Sequence, residues 1–222
     1  MHLEKIFALV LTVSAASLCG QEKPPYTFGT TVVSTTGFEG HIYLLKKNTG
    51  KLPHFDGMQS VGTVYTNILN VWPQRFDEGF PGITDRIEWF AIDYRGHFWI
   101  EREGEYRFSL LSDDGSRLSI DNQELIDNDG VHSASALSAR AFLTRGMHTI
   151  RVSYFQGPRF TVALVLAAAG PGGSWRIFNT DDFIPPVNPA EWVTGQIRDI
   201  RHSVPFGGGD DPPEGAPRTR RR

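Results

Sequence analysis

The sequence predicts an all-β fold, an antiparallel β-sandwich or barrel, on three observations. Apolar residues alternate with polar ones at a spacing of two in several short segments, as in Tyr106, Phe108 and Leu110 or Ile150, Val152 and Tyr154. Turn signals recur at roughly strand-length intervals, about every 8 to 15 residues through the strand-rich part, and the chain of 222 holds 23 Gly and 14 Pro. No segment before residue 187 carries a helical period. Hydrophobic residues make up 40%, enough for one large core.

The N-terminal residues 1–20 read as a signal peptide rather than as fold. Ile6 to Val13 is apolar, and the small residues Ser14-Ala15-Ala16-Ser17 follow. The apolar run is too short for a transmembrane span, which takes about 20 residues. This predicts a secreted, periplasmic or cell-surface protein. Cleavage is expected near residues 17–20. Acylation of Cys19, the one cysteine, is the alternative, and bulky Leu18 before it opposes that. Loss of Cys19 leaves a mature chain without cysteine, so neither a disulfide nor a cysteine nucleophile is available.

Residues 21–35 form a leader and a first, β-branched strand through Thr30 to Thr36. The main β domain is expected over 36–184. Ile42-Tyr43-Leu44-Leu45 is a strand, and 48–84 reads as loop because of its Gly and Pro. Ile87 to Asp93 and His97 to Ile100 read as strands around a turn at Tyr94-Arg95-Gly96. Further strands are Tyr106 to Leu110, Leu118 to Ile120, Leu125-Ile126, Ala141 to Leu143 and Ile150 to Tyr154. Phe160 to Ala167 is almost wholly apolar, which predicts a central strand covered on both faces. Residues 185–222 are expected to be a largely disordered extension rich in Pro, Gly and Arg. It opens on a short helix capped by Asn188 with Pro189 at its first position. The terminal Arg218-Thr219-Arg220-Arg221-Arg222 reads as a solvated tail or a contact for an acidic surface.

A net charge of −3 excludes a global field for nucleic acid or an anionic membrane. No nucleophile elbow, His-Glu-x-x-His or phosphate loop is present, which predicts a non-enzyme with no catalytic residues. The densest chemistry is Ser112-Asp113-Asp114-Gly115. Two adjacent carboxylates there suit a hard cation if the chain turns sharply, and the same four residues also make a good type I turn. Asp127-Asn128-Asp129-Gly130 reads the same way, and its spacing fails the EF-hand pattern. His132 reads as a ligand contact or a turn-packing residue. The tryptophans Trp72, Trp89 and Trp99 read as core, and Trp175 lies in the least regular segment.

Several segments taken in order carry a resemblance. They are Gly104 to Phe108, Ser112 to Asp121, Asp127 to His132, Leu143 to His148 and Ile150 to Pro158. Together they resemble the PA14 domain family over about residues 36–184. The resemblance implies an antiparallel β fold and a carbohydrate-binding or adhesion role. It also implies Ca²⁺ on a cis-linked pair matching Asp113 and Asp114, completed by a later loop that falls here at 155–159. In sugar-binding members an Asn sits in that loop, and here Gln156 stands near its place with one more methylene. The metal ligands implied are Asp113, Asp114 and Gln156. The glycan-binding set adds Gly157, Arg159 and Trp175, the last as a stacking face. The alternative is a structural module that docks an envelope protein without any sugar site.

Overall fold

The computed structural model describes residues 37–78, 80–83, 88–158 and 160–205. The signal-peptide reading, Cys19, the leader with its first strand, Arg159 and the Arg-rich end lie outside the described residues. Twelve strands are formed: β1 (Phe38–Leu44), β2 (Gly62–Thr66), β3 (Asn70–Arg75), β4 (Phe90–Ile100), β5 (Gly104–Asp113), β6 (Ser116–Ile120), β7 (Gln123–Asn128), β8 (Ser135–Leu143), β9 (Gly146–Gln156), β10 (Thr161–Ala169), β11 (Arg176–Ile177) and β12 (Ile197–Pro205).

They make two antiparallel sheets packed as a sandwich, with no closed barrel. One runs β2-β1-β4-β9-β6-β7 and the other β11-β10-β5-β8-β12, with β3 also on β10. The period-2 residues of the sequence fill the space between the sheets. Phe108 and Leu110 of β5, Leu118 and Ile120 of β6, and Ile150, Val152 and Tyr154 of β9 join one buried cluster. β10 is buried from Val162 to Ala169, with Val162, Leu164, Leu166 and Ala168 in the inter-sheet cluster. A smaller cluster of Tyr43, Leu45, Phe55, Trp89, Ala91 and Phe155 forms beyond the main one.

Four expectations are corrected. No turn interrupts residues 94–96, because β4 pairs without a break from Phe90↔Gln156 to Ile100↔Gly146. Gly96 serves close approach instead: a Cβ there would stand 3.0 Å from the carbonyl oxygen of Gly37. The segment 48–84 is not only loop, since it contributes β2 and β3. Phe160 is not part of the buried strand; it precedes β10 and is 81% exposed. After Asn188 there is one 3-10 turn, Pro189–Glu191, rather than a helix. The cap itself forms as expected, with the Asn188 side chain accepting from the Ala190 N–H at 3.1 Å. Ile197 and Ile200, which follow that turn, lie in β12, which pairs with β8 and carries the sheet to Pro205. β-branched Ile and Val and the pairing edge of β8 outweigh the weak helical period. Among the described residues no helix is long and apolar enough to cross a membrane.

Candidate functional site

β5 ends at Asp113 in one sheet, and β6 begins at Ser116 in the other. The chain therefore changes sheets at Asp114-Gly115. β7 and β8 make the same change through residues 129–134, and β9 and β10 through 157–160. Pairing of Asp113 with Ala163 and of Ser116 with Tyr154 sets the first and third crossings side by side. The Phe155 N–H donates to the Gly115 carbonyl at 2.9 Å. His132 brings in the second crossing through its backbone N–H, 3.1 Å from Asp114 Oδ1. One rim of the sandwich is thus built from three sheet-to-sheet crossings.

The Asp113-Asp114 peptide is cis. Both residues are buried, at 5% and 4% exposure. Asp114 Oδ2 accepts from the Gly157 N–H at 2.8 Å and faces Gln156 Nε2 at 3.4 Å. Asp113 Oδ2 accepts from the Thr161 hydroxyl. Gly157 is needed for the approach, since a Cβ there would meet Asp114 Oδ2 at 3.1 Å. Burial holds the Asp114 carboxyl above its ordinary range, and the like charge of Asp113 adds to this. The N–H groups of Gly157 and His132 pull the other way. No lysine or arginine among the described residues forms an ion pair with either carboxylate.

Tyr154 ties the rim to the core. Its ring stacks on Phe80 at 5.1 Å between centroids. Its hydroxyl lies 2.7 Å from the Asp113 carbonyl oxygen and 2.6 Å from Gln156 Oε1. Burial, with the charges of Asp114 and Asp113 behind it, pushes the phenol well above its usual range, so it stays a neutral donor. Beneath the pair lies a buried polar plug. The hydroxyls of Ser112 and Ser116 are 2.6 Å apart, and Asn128 Nδ2 donates to Ser112 Oγ and to the Ser135 carbonyl, each at 3.1 Å.

The structure brings Asp113, Asp114, Gln156 and Gly157 together as the sequence suggested. It does not bring Trp175 there. Trp175 lies under the Arg107 guanidinium, 4.9 Å from its ring centroid, and Arg107 pairs with Ala169 at the far end of β5. Six residue steps along β5 separate that pair from Asp113↔Ala163, roughly 20 Å. Trp89 and Trp99 are buried, in keeping with a core role. The second acidic turn is structural: Asp129 Oδ1 accepts from the N–H groups of Leu52 and Gly130, each at 2.8 Å, and Asp127 pairs with Arg117. The His132 ring is occupied by the Ser133 and Asn128 carbonyls. Sequence reasoning missed Tyr154, Thr161 and the serine pair as site residues. The Ser112 and Ser116 hydroxyls flanking the acidic pair were the available signal. It also missed the exposed apolar flank of the rim, Phe160 at 81% and Val131 at 52%.

The oxygens gathered here are carboxylate and backbone carbonyl oxygens, hard donors of the kind that suit Ca²⁺, with Gln156 Nε2 standing among them. Among the described residues no three His, Cys, Asp or Glu side chains cluster as a metal group.

The sequence matches the PA14 domain family over residues 76–174. No curated protein matches it significantly. Among solved structures, the PA14 domain of MpAFP antifreeze protein is similar at 17% identity and a TM-score of 0.56, covering 70% of this chain and 94% of that one. A PA14 sugar-binding domain from an RTX adhesin is similar at 18% identity and a TM-score of 0.52, covering 67% and 97%. An anti-sigma factor domain-containing protein is similar at 20% identity and a TM-score of 0.53, covering 69% of this chain. The match spans half the length of that protein.

Proposed function

We propose that the chain, whose residues 76–174 match the PA14 domain family, is an exported carbohydrate-binding or adhesion module, with its glycan site on the rim of Asp113, Asp114 and Gln156. The observation that carries this is a buried, adjacent carboxylate pair, with the Pro158 and Thr161 carbonyls gathered beside it around Gln156. Such a pair favours a divalent cation at neutral pH, because burying unpaired charge is costly. When bound, Ca²⁺ supplies open coordination positions to sugar hydroxyls. The chain's own part is to aim the oxygens. Gly157 and His132 hold Asp114, and Thr161 and Tyr154 hold Asp113. Phe160 and Val131 stand exposed in the second and third crossings and offer apolar contact to the C–H face of a sugar ring. The sugar-binding description of the RTX adhesin domain supports the reading.

The rim suits binding better than hydrolysis. Glycosidase acids stand about 5–9.5 Å apart across the scissile bond, whereas these two carboxylates are neighbours in the chain. The test is a glycan array with and without chelator, run beside the Asp113→Ala/Asp114→Ala variant. Binding is expected that chelator and the double substitution both abolish. A folded protein silent on the array in both conditions sinks the lectin reading. A protein partner captured without glycan response would favour the docking module.

A further inference from the structure

Gln156 carries more than a ligand role. Its side chain is fully buried. Nε2 donates to the Pro158 and Thr161 carbonyls, each at 3.1 Å, and faces Asp114 Oδ2 at 3.4 Å. Oε1 accepts from the Tyr154 hydroxyl at 2.6 Å. The two amide protons thus sit among three oxygens of the kind a hard cation would gather.

The surroundings fix which end of the amide points where. Turned over, Oε1 would take the place of Nε2 and stand against two carbonyl oxygens and a carboxylate. That arrangement is repulsive unless a cation lies among them. Tyr154 tolerates both states. Its hydroxyl donates to Oε1 in the first; in the second it donates to the Asp113 carbonyl at 2.7 Å and accepts from Nε2.

We propose that the Gln156 carboxamide is a built-in stand-in for the cation: its NH₂ holds the rim oxygens together in the ion-free protein, and it turns over to present Oε1 when Ca²⁺ binds. The inference rests on the reading of this rim as the calcium and glycan site. It explains why a Gln suits this place. The rim stays assembled without metal, and binding must displace the hydrogen bonds that assemble it.

The test uses the full chain and CaCl₂ as the probe. Side-chain amide NMR is recorded in EDTA and then in Ca²⁺. The Gln156 NH₂ protons are expected to exchange slowly in EDTA and to shift on addition of Ca²⁺. The second arm is Gln156→Glu, which replaces the NH₂ with a third carboxylate oxygen. It is expected to melt about 5 °C or more below the wild type in EDTA. Ca²⁺ should restore it, with half-saturation about tenfold lower than for the wild type. Free-solvent exchange of the Gln156 amide in EDTA overturns the proposal, as does an amide unmoved by saturating Ca²⁺. So does a Gln156→Glu variant with wild-type melting and calcium response. If that variant fails to fold even in Ca²⁺, the wild-type amide spectra decide. Calcium behaviour as expected with a silent glycan array would sink the lectin reading and leave this one standing.

Discussion

Gly115→Ala tests whether the rim depends on close contact between two of its crossings. A Cβ at Gly115 would lie 2.4 Å from the Phe155 ring and 2.7 and 2.8 Å from the backbone N and O of Gly130. Ordinary contact begins near 3.4 Å, so the methyl is between about 0.6 and 1.0 Å too close. Phe155 is fully buried in the smaller cluster and has nowhere to turn. Relief must come from moving the 129–134 crossing. That segment carries the His132 N–H that holds Asp114 and the Asp129 carboxylate that pins Leu52. Overpacking against backbone places the cost near the upper end of its usual range, about 2–3 kcal/mol. For a domain of this size that is a fall in Tm of roughly 4–12 °C. The assay is calorimetry together with the amide spectrum of His132. Gly50→Ala is the control, because nothing lies within 4 Å of its added Cβ. If Gly115→Ala melts with the wild type and leaves the His132 amide unmoved, the crossings are not in the contact described.

Two further outcomes follow from the same coordinates. A carboxyl whose native pKa is raised binds its proton more tightly folded than unfolded. Asp114's contribution to stability is therefore full below the unfolded carboxylate pKa and is lost as pH rises through the native value. In EDTA, Asp114→Asn should flatten that part of the pH dependence of the unfolding free energy, and an unchanged slope refutes the assignment. Gly195→Ala puts a methyl 2.1 Å from Nε2 of His148, a buried ring held by Asp121 at 2.7 Å and the Thr144 carbonyl at 2.9 Å. It should cost about 1–3 kcal/mol and raise hydrogen exchange selectively in β12; exchange unchanged there argues against it.

The strands were legible where one face is buried and the other is not, as in β5, β6 and β9, because period 2 is then written in residue type. Legibility failed where Gly serves packing rather than turning. Gly96 sits within a continuous strand, and Gly115 is required by the nearness of Gly130, with neither need visible in local sequence. β12 was missed because an Asn-Pro start imitates a helix, while its real partner, β8, lies far back in the chain, Ile197 pairing with Leu143. Asp113, Asp114, Gln156 and Gly157 were read from the order of segments along the chain. Trp175 was placed with them on irregularity alone, and the antiparallel ladder carries it to the other end of β5. Tyr154 was read as an ordinary core residue, which its ring is; only the fold shows its hydroxyl emerging under the acidic pair.

The location of the rim follows from topology. A sandwich strand that continues into the opposite sheet must cross at an edge, and there its backbone leaves the ladder and its polar groups need new partners. Here three crossings share one edge, so their unpaired groups satisfy one another. The Gly157 and His132 N–H groups go to Asp114, the Thr161 hydroxyl to Asp113, and the Pro158 and Thr161 carbonyls to Gln156. The serine pair and Asn128 close the floor. Among the described residues, two carboxylates and the Pro158 and Thr161 carbonyls converge on the backbone N–H groups of Gly157 and His132, the Thr161 hydroxyl and the Gln156 amide. That convergence of oxygens on few protons is why the proposed ligand site falls at this edge. It also places Gln156, whose carboxamide touches Asp114, Pro158, Thr161 and Tyr154 and can offer either end, at the centre of the question.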